Sequence, residues 1–195
     1  DGMRALDATV DYIRTKYPEI FLIADAKRGD IGNTAKMYAK AFFEEMDFDA
    51  VTIAPYMGAD SVTPFLEYKD KWAIVLALTS NASAYQFQNA QKDGKPLYQA
   101  VMEEMMEIST PDNMMFVVGA TKADKLEELR SFCPDNFFLV PGVGAQGGSA
   151  EEVIAHGAND HGGLLINSSR GILFADSTEN YAKVAGEVAA KTANL

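Results

Sequence analysis

Two aspartates and a lysine follow an apolar run near the start of the chain, and their spacing predicts acid–base chemistry. Residues 21–24 lead into Asp25, Lys27 and Asp30. Because side chains two positions apart on a strand point the same way, Asp25 and Lys27 should extend together from a strand end, with Asp30 just beyond the turn. An ammonium group near carboxylates keeps its charged form. The spacing therefore predicts a lysine held as a proton donor, although solvated loops also show this pattern.

Glycine-containing segments after two later apolar runs predict an anion site. Residues 141–148 follow the run 137–140 and include Gln146, whose amide can both donate and accept. The last run ends at Asn167, and Arg170 follows with a fork of hydrogen-bond donors. In eight-stranded parallel barrels, the loops after the seventh and eighth strands commonly bind phosphate. The two loops together therefore predict a phosphate site, whereas each alone could be a tight turn.

The composition limits the class of protein. The chain has 195 residues, of which 48% are hydrophobic, and this is enough for the core of a single domain over residues 1–195. A net charge of -11 argues against a nucleic-acid-binding surface. No apolar run approaches the roughly 20 residues of a membrane span. Cys133 is the only cysteine and no secretory signal is recognised, so we expect a cytoplasmic protein without disulfides.

Short apolar runs alternate with helical patterns along most of the chain. The runs predict parallel strands at residues 21–26, 50–55, 73–79, 115–120, 137–141 and 163–167. Periodic apolar positions predict helices at residues 3–16, 33–46, 61–68, 97–108, 122–132, 150–156 and 178–191. Thr121 and Ser149 precede two of these helices and are predicted N-caps. Six strand–helix units indicate an α/β fold, a (β/α)8 TIM barrel without two N-terminal units.

Other polar segments allow more than one interpretation. Residues 80–94 are polar and aperiodic, so they predict either a lid over a substrate or a solvated loop. The polar run 79–81 could bind the edge of a base or simply cap a turn. His156 and His161 belong to no convincing ligand set, so no metal site is predicted.

Six sequence runs resemble those of orotidine 5'-phosphate decarboxylases, especially the longer bacterial branch of that family. The runs are DAKRGDIGNTAKMYAKAFFEE, DAVTIAPYMGADS, LALTSN, FVVGAT, FLVPGVGAQGG and INSSRGILFA. They occur in the family's order, and the resemblance extends over almost the whole chain. The resemblance implies a (β/α)8 barrel homodimer with shared active sites at the carboxyl ends of the strands and no cofactor. It also implies decarboxylation of orotidine 5'-phosphate to uridine 5'-phosphate in pyrimidine synthesis.

The resemblance also implies individual roles. Lys27 would protonate C6 of the pyrimidine, Asp25 would lie beside the departing carboxylate, and Asp30 would enter the site of the partner subunit. Ser80 would bond the base, and Gln146 would bridge the base and the phosphate. The implied substrate-binding residues are Ile31 and Thr34, both from the partner subunit, with Ser80, Pro141, Val143, Gln146, Arg170 and Gly171.

Two other interpretations remain open. Sugar-phosphate decarboxylases of the same superfamily also have an Asp-x-Lys-x-x-Asp strand end but are metal-dependent, so insensitivity to a chelator would distinguish the two. The second interpretation is an inactive barrel fragment that binds nucleotide or only dimerises. It arises because the family's first two strands, with a further lysine and a ribose-binding aspartate, do not precede Asp1 in this sequence. The coding sequence upstream of Asp1 would test it.

Overall fold

Apolar runs of strand length form strands, and the amphipathic runs between them form helices. The computed structural model describes residues 1–120, 123–143 and 149–193. The strands are β1 (Ile23–Arg28), β2 (Ala50–Ile53), β3 (Trp72–Leu78), β4 (Gln91–Lys92), β5 (Lys95–Pro96), β6 (Met114–Val118), β7 (Phe138–Pro141) and β8 (Leu164–Asn167). The helices are α1 (Gly2–Lys16), α2 (Gly32–Lys40), α3 (Thr63–Leu66), α4 (Tyr85–Gln88), α5 (Leu97–Glu107), α6 (Ala123–Phe132), α7 (Ala150–Gly157), α8 (Arg170–Leu173) and α9 (Tyr181–Ala193).

The chain divides into two compact units, and β3 and β6 contribute residues to both. The first unit is Asp1–Leu76 with Ala100–Met115, and the second is Ala77–Gln99 with Phe116–Leu195. The sequence predicted a single domain over residues 1–195, and this division into two units does not test that prediction. Within the described ranges, no helix is long and apolar enough to cross a membrane.

Parallel strands form the centre of the first unit. Ile23 of β1 pairs with Ala50 of β2, which pairs in turn with Trp72 of β3. Every residue of β2 is buried, as expected for a parallel strand covered on both faces. Ala73 N donates to Asn113 O at 3.0 Å, which joins the start of β3 to the residue before β6.

The second unit repeats this arrangement with β6, β7 and β8. Phe116 pairs with Phe138, and Phe138 pairs with Leu164 in parallel register. Gly119 N donates to Leu78 O at 2.8 Å, which joins the chain after β6 to the end of β3. Helices follow the parallel strands in both units, so the predicted α/β class is confirmed.

The six parallel strands begin and end within two residues of the predicted positions, whereas several helices differ more. The predicted helix 33–46 is α2 followed by a π-helical segment, Ala41–Glu45. The predicted helix 61–68 is only the short α3, which has Pro64 in its first turn. The predicted helix 178–191 begins at Tyr181, because the Thr178 hydroxyl accepts from Asn180 N and holds a turn before it.

The polar segment 80–94 contains structure that the absence of periodicity concealed. A 3-10 turn, Ala82–Ala84, precedes α4, and β4 then pairs with β5 in an antiparallel hairpin. The hairpin turn is Asp93-Gly94, and both residues have positive φ, at 54° and 82°. Asp-Gly is a strong sequence signal for such a two-residue turn, so this hairpin was predictable.

Helix α7 begins as the sequence predicts. Ser149 Oγ accepts from Glu152 N at 3.2 Å, so the predicted N-cap is confirmed. Thr121, the other predicted N-cap, lies outside the described residues.

Arg130 of α6 contacts several segments of the second unit. Its guanidinium lies 4.0 Å from the ring centroid of Phe138 in β7. It also donates to the backbone carbonyls of Cys133, Pro134, Asn136, Gly157 and Gly163. One side chain therefore binds carbonyls near the ends of α6 and α7 and before β7 and β8; of these, the Gly163 carbonyl also accepts from Phe138 N at 2.9 Å.

Cys133 should be unreactive in the folded protein. Its thiol is buried and donates to Asn136 Oδ1 at 3.0 Å. Burial raises the pKa of the Cys133 thiol to about 11, so the reactive thiolate is scarce at neutral pH. We expect iodoacetamide to leave Cys133 unmodified in native protein and to label it after unfolding in urea, as measured by intact mass. Rapid labelling of native protein would contradict this burial.

Candidate active site

The end of β1 brings Asp25 and Lys27 together in the first unit, as the sequence predicts. Lys27 Nζ donates to Asp25 Oδ1 at 2.5 Å. The side chains of Lys27 and Asp25 remain 51% and 64% exposed, respectively. The ammonium is therefore oriented by a carboxylate while it stays open to a ligand, as a proton donor requires.

The backbone around Lys27 departs from regular strand geometry. Lys27 has a φ of 45°, in the left-handed region that residues other than glycine seldom adopt. Ala24 pairs with Val51 and Arg28 pairs with Ile53, so three residues of β1 lie opposite one residue of β2. Bulges of this kind redirect side chains and are frequent beside active sites. This bulge lies directly at the charged pair.

Thr52 is the β2 residue opposite the bulge, and its hydroxyl contacts both members of the charged pair. Thr52 Oγ1 donates to Asp25 Oδ1 at 3.0 Å and accepts from Lys27 N at 2.9 Å. The sequence-based prediction missed Thr52. A signal was present, because Thr52 is the only polar residue in the apolar run 50–55.

The structure does not bring Asp30 to Lys27 within this chain. Asp30 Oδ1 accepts from Ile31 N at 2.8 Å, and within the described ranges Asp30 forms no ion pair with Lys27. Ile31 is 51% exposed, and Thr34 is an exposed residue of the first turn of α2. The sequence predicted that Lys27 lies between two carboxylates. Within this chain it contacts only one of these two, that of Asp25.

Ser80 lies in the second unit, directly after β3, where close packing fixes the chain. A Cβ atom on Gly119 would lie 2.7 Å from both Ser80 N and Ser80 Cβ, so glycine is needed at this approach. Thr79 N donates to Gln88 Oε1 at 2.8 Å, and Gln88 Nε2 donates to Thr79 Oγ1 at 2.8 Å. Helix α4 is thereby attached to the strand end beside Ser80.

The two predicted phosphate loops leave neighbouring strands of the second unit. Pro141 at the end of β7 pairs in register with Asn167 at the end of β8. Val143 is buried two residues beyond Pro141. Gln146 lies outside the described residues, so its predicted role is untested. The adjacent strand ends agree with one shared anion site.

Arg170 and Gly171 open the short helix after β8. Arg170 is exposed and begins α8. A Cβ atom on Gly171 would lie 3.0 Å from Ser168 Oγ, so the chain turns tightly here. Ser169 Oγ donates to Asn167 Oδ1 at 3.1 Å and steadies this turn. The guanidinium is thus presented to solvent from a constrained segment.

The two histidines contact neighbouring polar residues. His156 Nδ1 lies 3.4 Å from Glu127 Oε2, and His161 N donates to Asn159 Oδ1 at 3.0 Å. In the part of the chain that the structure describes, no three or more His, Cys, Asp or Glu residues are grouped to hold a metal ion.

Parallel strands that lead into helices, with candidate functional side chains after their carboxyl ends, characterise (β/α)8-barrel enzymes. A sequence model of the orotidine 5'-phosphate decarboxylase / HUMPS family matches residues 5–185, and the chain belongs to this family. The family predicted from the six sequence runs is therefore confirmed.

Individual relatives agree with this assignment. The orotidine 5'-phosphate decarboxylase of Christiangramia forsetii is 55% identical over 186 residues, which are 95% of this chain and 68% of the relative. The same-named enzyme of Phocaeicola vulgatus is 55% identical over 191 residues, covering 97% of this chain and 70% of the relative. The predicted enzyme class, a carboxy-lyase, is confirmed at the level of these relatives.

A solved structure shows the same fold. The OMP decarboxylase of Leishmania donovani superposes with a TM-score of 0.80 at 36% sequence identity, covering 94% of this chain and 71% of that chain. The predicted fold class is thereby confirmed as a (β/α)8 barrel of which this chain supplies six strand–helix units.

Proposed function

We propose that this protein converts orotidine 5'-phosphate to uridine 5'-phosphate and carbon dioxide, without a cofactor, in pyrimidine synthesis. The observation that carries the proposal is the Lys27 ammonium fixed on Asp25 at the end of β1. Two relatives named orotidine 5'-phosphate decarboxylase, each 55% identical to this chain, support the proposal.

The proposed chemistry needs an ammonium close to C6 of the pyrimidine. When the bond from C6 to the carboxylate breaks, the electron pair stays on C6, and no adjacent carbonyl delocalises it. The Lys27 ammonium stabilises this pair electrostatically and then donates a proton from Nζ to form the C6–H bond. Asp25 lies beside the departing carboxylate, where two like charges disfavour the ground state, and it holds the ammonium in place.

Substrate binding is assigned to groups away from C6. Arg170 and Gly171 contact the phosphate, Gln146 bridges the phosphate and the base, and Ser80 bonds the base, while Pro141 and Val143 line the site. Binding energy from the phosphate can order the charged groups at the reacting carbon. The adjacent ends of β7 and β8 support this arrangement.

The active site is proposed to be shared between two subunits. Asp30, Ile31 and Thr34 would enter the site of the partner in a homodimer. This assignment is supported by the absence of an ion pair between Asp30 and Lys27 in the described part of one chain, and by the exposure of Ile31.

Arg170→Ala should weaken the binding of uridine 5'-phosphate. A charge-assisted contact is worth about 1.5 to 3 kcal/mol, so we expect an affinity loss of roughly 10- to 150-fold by titration calorimetry. Lys183→Ala is the control, because Lys183 is an exposed cation of α9 in the same unit. An Arg170→Ala protein with unchanged affinity would show that the phosphate binds elsewhere.

The function itself is tested by product analysis in the presence of a chelator. Full-length protein treated with EDTA should convert orotidine 5'-phosphate to equal amounts of uridine 5'-phosphate and carbon dioxide, followed by the loss of ultraviolet absorbance. Activity that appears only after addition of Mg²⁺, and on a sugar phosphate, would support the metal-dependent alternative. Nucleotide binding without turnover would support the non-catalytic one.

A further inference from the structure

Thr52 has a buried hydroxyl, and within the described ranges it forms two hydrogen bonds, both to the charged pair Asp25–Lys27. The residue is 0% exposed in a strand whose other members are Ala50, Val51 and Ile53. Burying a hydroxyl costs free energy unless it is hydrogen-bonded, so the partners of Thr52 explain why a polar residue is tolerated here. Those partners are the Asp25 carboxylate and the Lys27 backbone N–H.

The register of the two strands explains why a side chain is needed at this position. Only Thr52 of β2 lies opposite residues 25–27, so the regular backbone ladder is interrupted there. The Thr52 hydroxyl accepts from Lys27 N in place of a main-chain carbonyl. This contact anchors the left-handed backbone of Lys27, a conformation that is unfavourable for a residue with a Cβ atom.

The same hydroxyl also orients the carboxylate. Thr52 Oγ1 and Lys27 Nζ both donate to one oxygen, Asp25 Oδ1, at 3.0 and 2.5 Å. Asp25 and Lys27 are each more than half exposed at their side chains, so solvent alone would leave them many rotamers. The buried strand β2 therefore provides the rigid support that the exposed pair lacks.

We propose that Thr52 is a positioning residue for the decarboxylation, one that fixes the Lys27 backbone and the Asp25 carboxylate so that the ammonium is aimed at the reacting carbon. Thr52 acts through these two residues and is not assigned a contact with substrate. The inference rests on the proposed function, because it gives the Asp25–Lys27 pair the chemical role.

The proposal separates turnover from binding. Thr52→Val keeps the branched shape and removes the hydroxyl, whereas Thr52→Ser keeps the hydroxyl and removes the methyl group. In the full-length protein we expect Thr52→Val to lower kcat by roughly 10- to 100-fold, with affinity for uridine 5'-phosphate changed by less than about threefold. Thr52→Ser should keep kcat within about threefold of the wild type, although it leaves a small cavity.

A purely structural role predicts a different order. In that case the loss of kcat would follow the loss of thermal stability, and Thr52→Ser would be as impaired as Thr52→Val. That result, or a Thr52→Val enzyme with wild-type kcat, would overturn the proposal.

If Thr52→Val does not fold, the Thr52→Ser and Thr52→Ala pair gives the same comparison. If Thr52→Ala also fails to fold while Thr52→Ser folds, the hydroxyl is needed for folding itself and the proposal is likewise overturned. Wild-type turnover of orotidine 5'-phosphate is measured in parallel, because its absence would refute the proposed function and not the role of Thr52 in holding the pair.

Discussion

Lys27→Ala should lower the turnover of orotidine 5'-phosphate by at least about 10⁴-fold while the protein still binds uridine 5'-phosphate. The variant loses the proposed proton donor, and it also loses the fixed positive charge that is proposed to stabilise the electron pair on C6. General acid catalysis and preorganised electrostatics each commonly contribute several powers of ten. The proposed phosphate-binding loops are untouched, so affinity for the product should change little. Turnover is followed by ultraviolet absorbance at saturating substrate, and affinity by calorimetry.

A matched control distinguishes this effect from a general loss of charge. Lys69 lies in the same unit, its side chain is 91% exposed, and it is assigned no part in the site. Lys69→Ala should therefore retain wild-type turnover. If the Lys27→Ala enzyme kept even a tenth of the wild-type rate, Lys27 would not be the proton donor, whatever the behaviour of the control.

The sequence predicted the strand end well because the information it needed is local. Side chains two positions apart on a strand are expected on one side, and the structure joins Asp25 and Lys27 at 2.5 Å even though the backbone at Lys27 departs from regular strand geometry. The nearly all-apolar runs likewise predicted the six parallel strands, since parallel strands are buried on both faces. The order of the strands along the chain was also sufficient to predict that the loops after Pro141 and Asn167 leave neighbouring strands.

Contacts that depend on register or close approach were not predictable from the sequence, although the polarity of Thr52 within an apolar run marked the residue itself. The contact of Thr52 with Asp25 and Lys27 depends on the bulge between β1 and β2, and pairing offsets of this kind leave no simple pattern in one strand. The need for glycine at position 119 appears only when Ser80 is placed 2.7 Å from its missing Cβ atom. The left-handed φ of Lys27 is a further example, because lysine has no preference for that region.

The second large effect concerns subunit sharing. Asp30→Ala and Lys27→Ala proteins should each be nearly inactive, yet a mixture of the two full-length proteins should recover activity after subunit exchange. In a mixed dimer, one site combines the Lys27 of one subunit with the Asp30 of the other, and the remaining site lacks both. Random exchange makes about half of the dimers mixed, each with one working site, so roughly a quarter of the wild-type rate is expected.

The control for this mixture is a protein with both substitutions. Asp30→Ala mixed with the Lys27→Ala/Asp30→Ala double variant cannot assemble a site that contains both residues, so it should stay inactive. This comparison separates true complementation from stabilisation by mixing.

The rate of orotidine 5'-phosphate decarboxylation by the mixed single variants most directly tests the claim that Lys27 acts in a site completed by Asp30 from a second subunit. The account predicts recovery to roughly a quarter of the wild-type rate, with none in the double-variant control. A mixture that stays as inactive as its components, under conditions in which subunit exchange is demonstrated by native mass spectrometry, would contradict it and would place Asp30 in the active site of its own subunit.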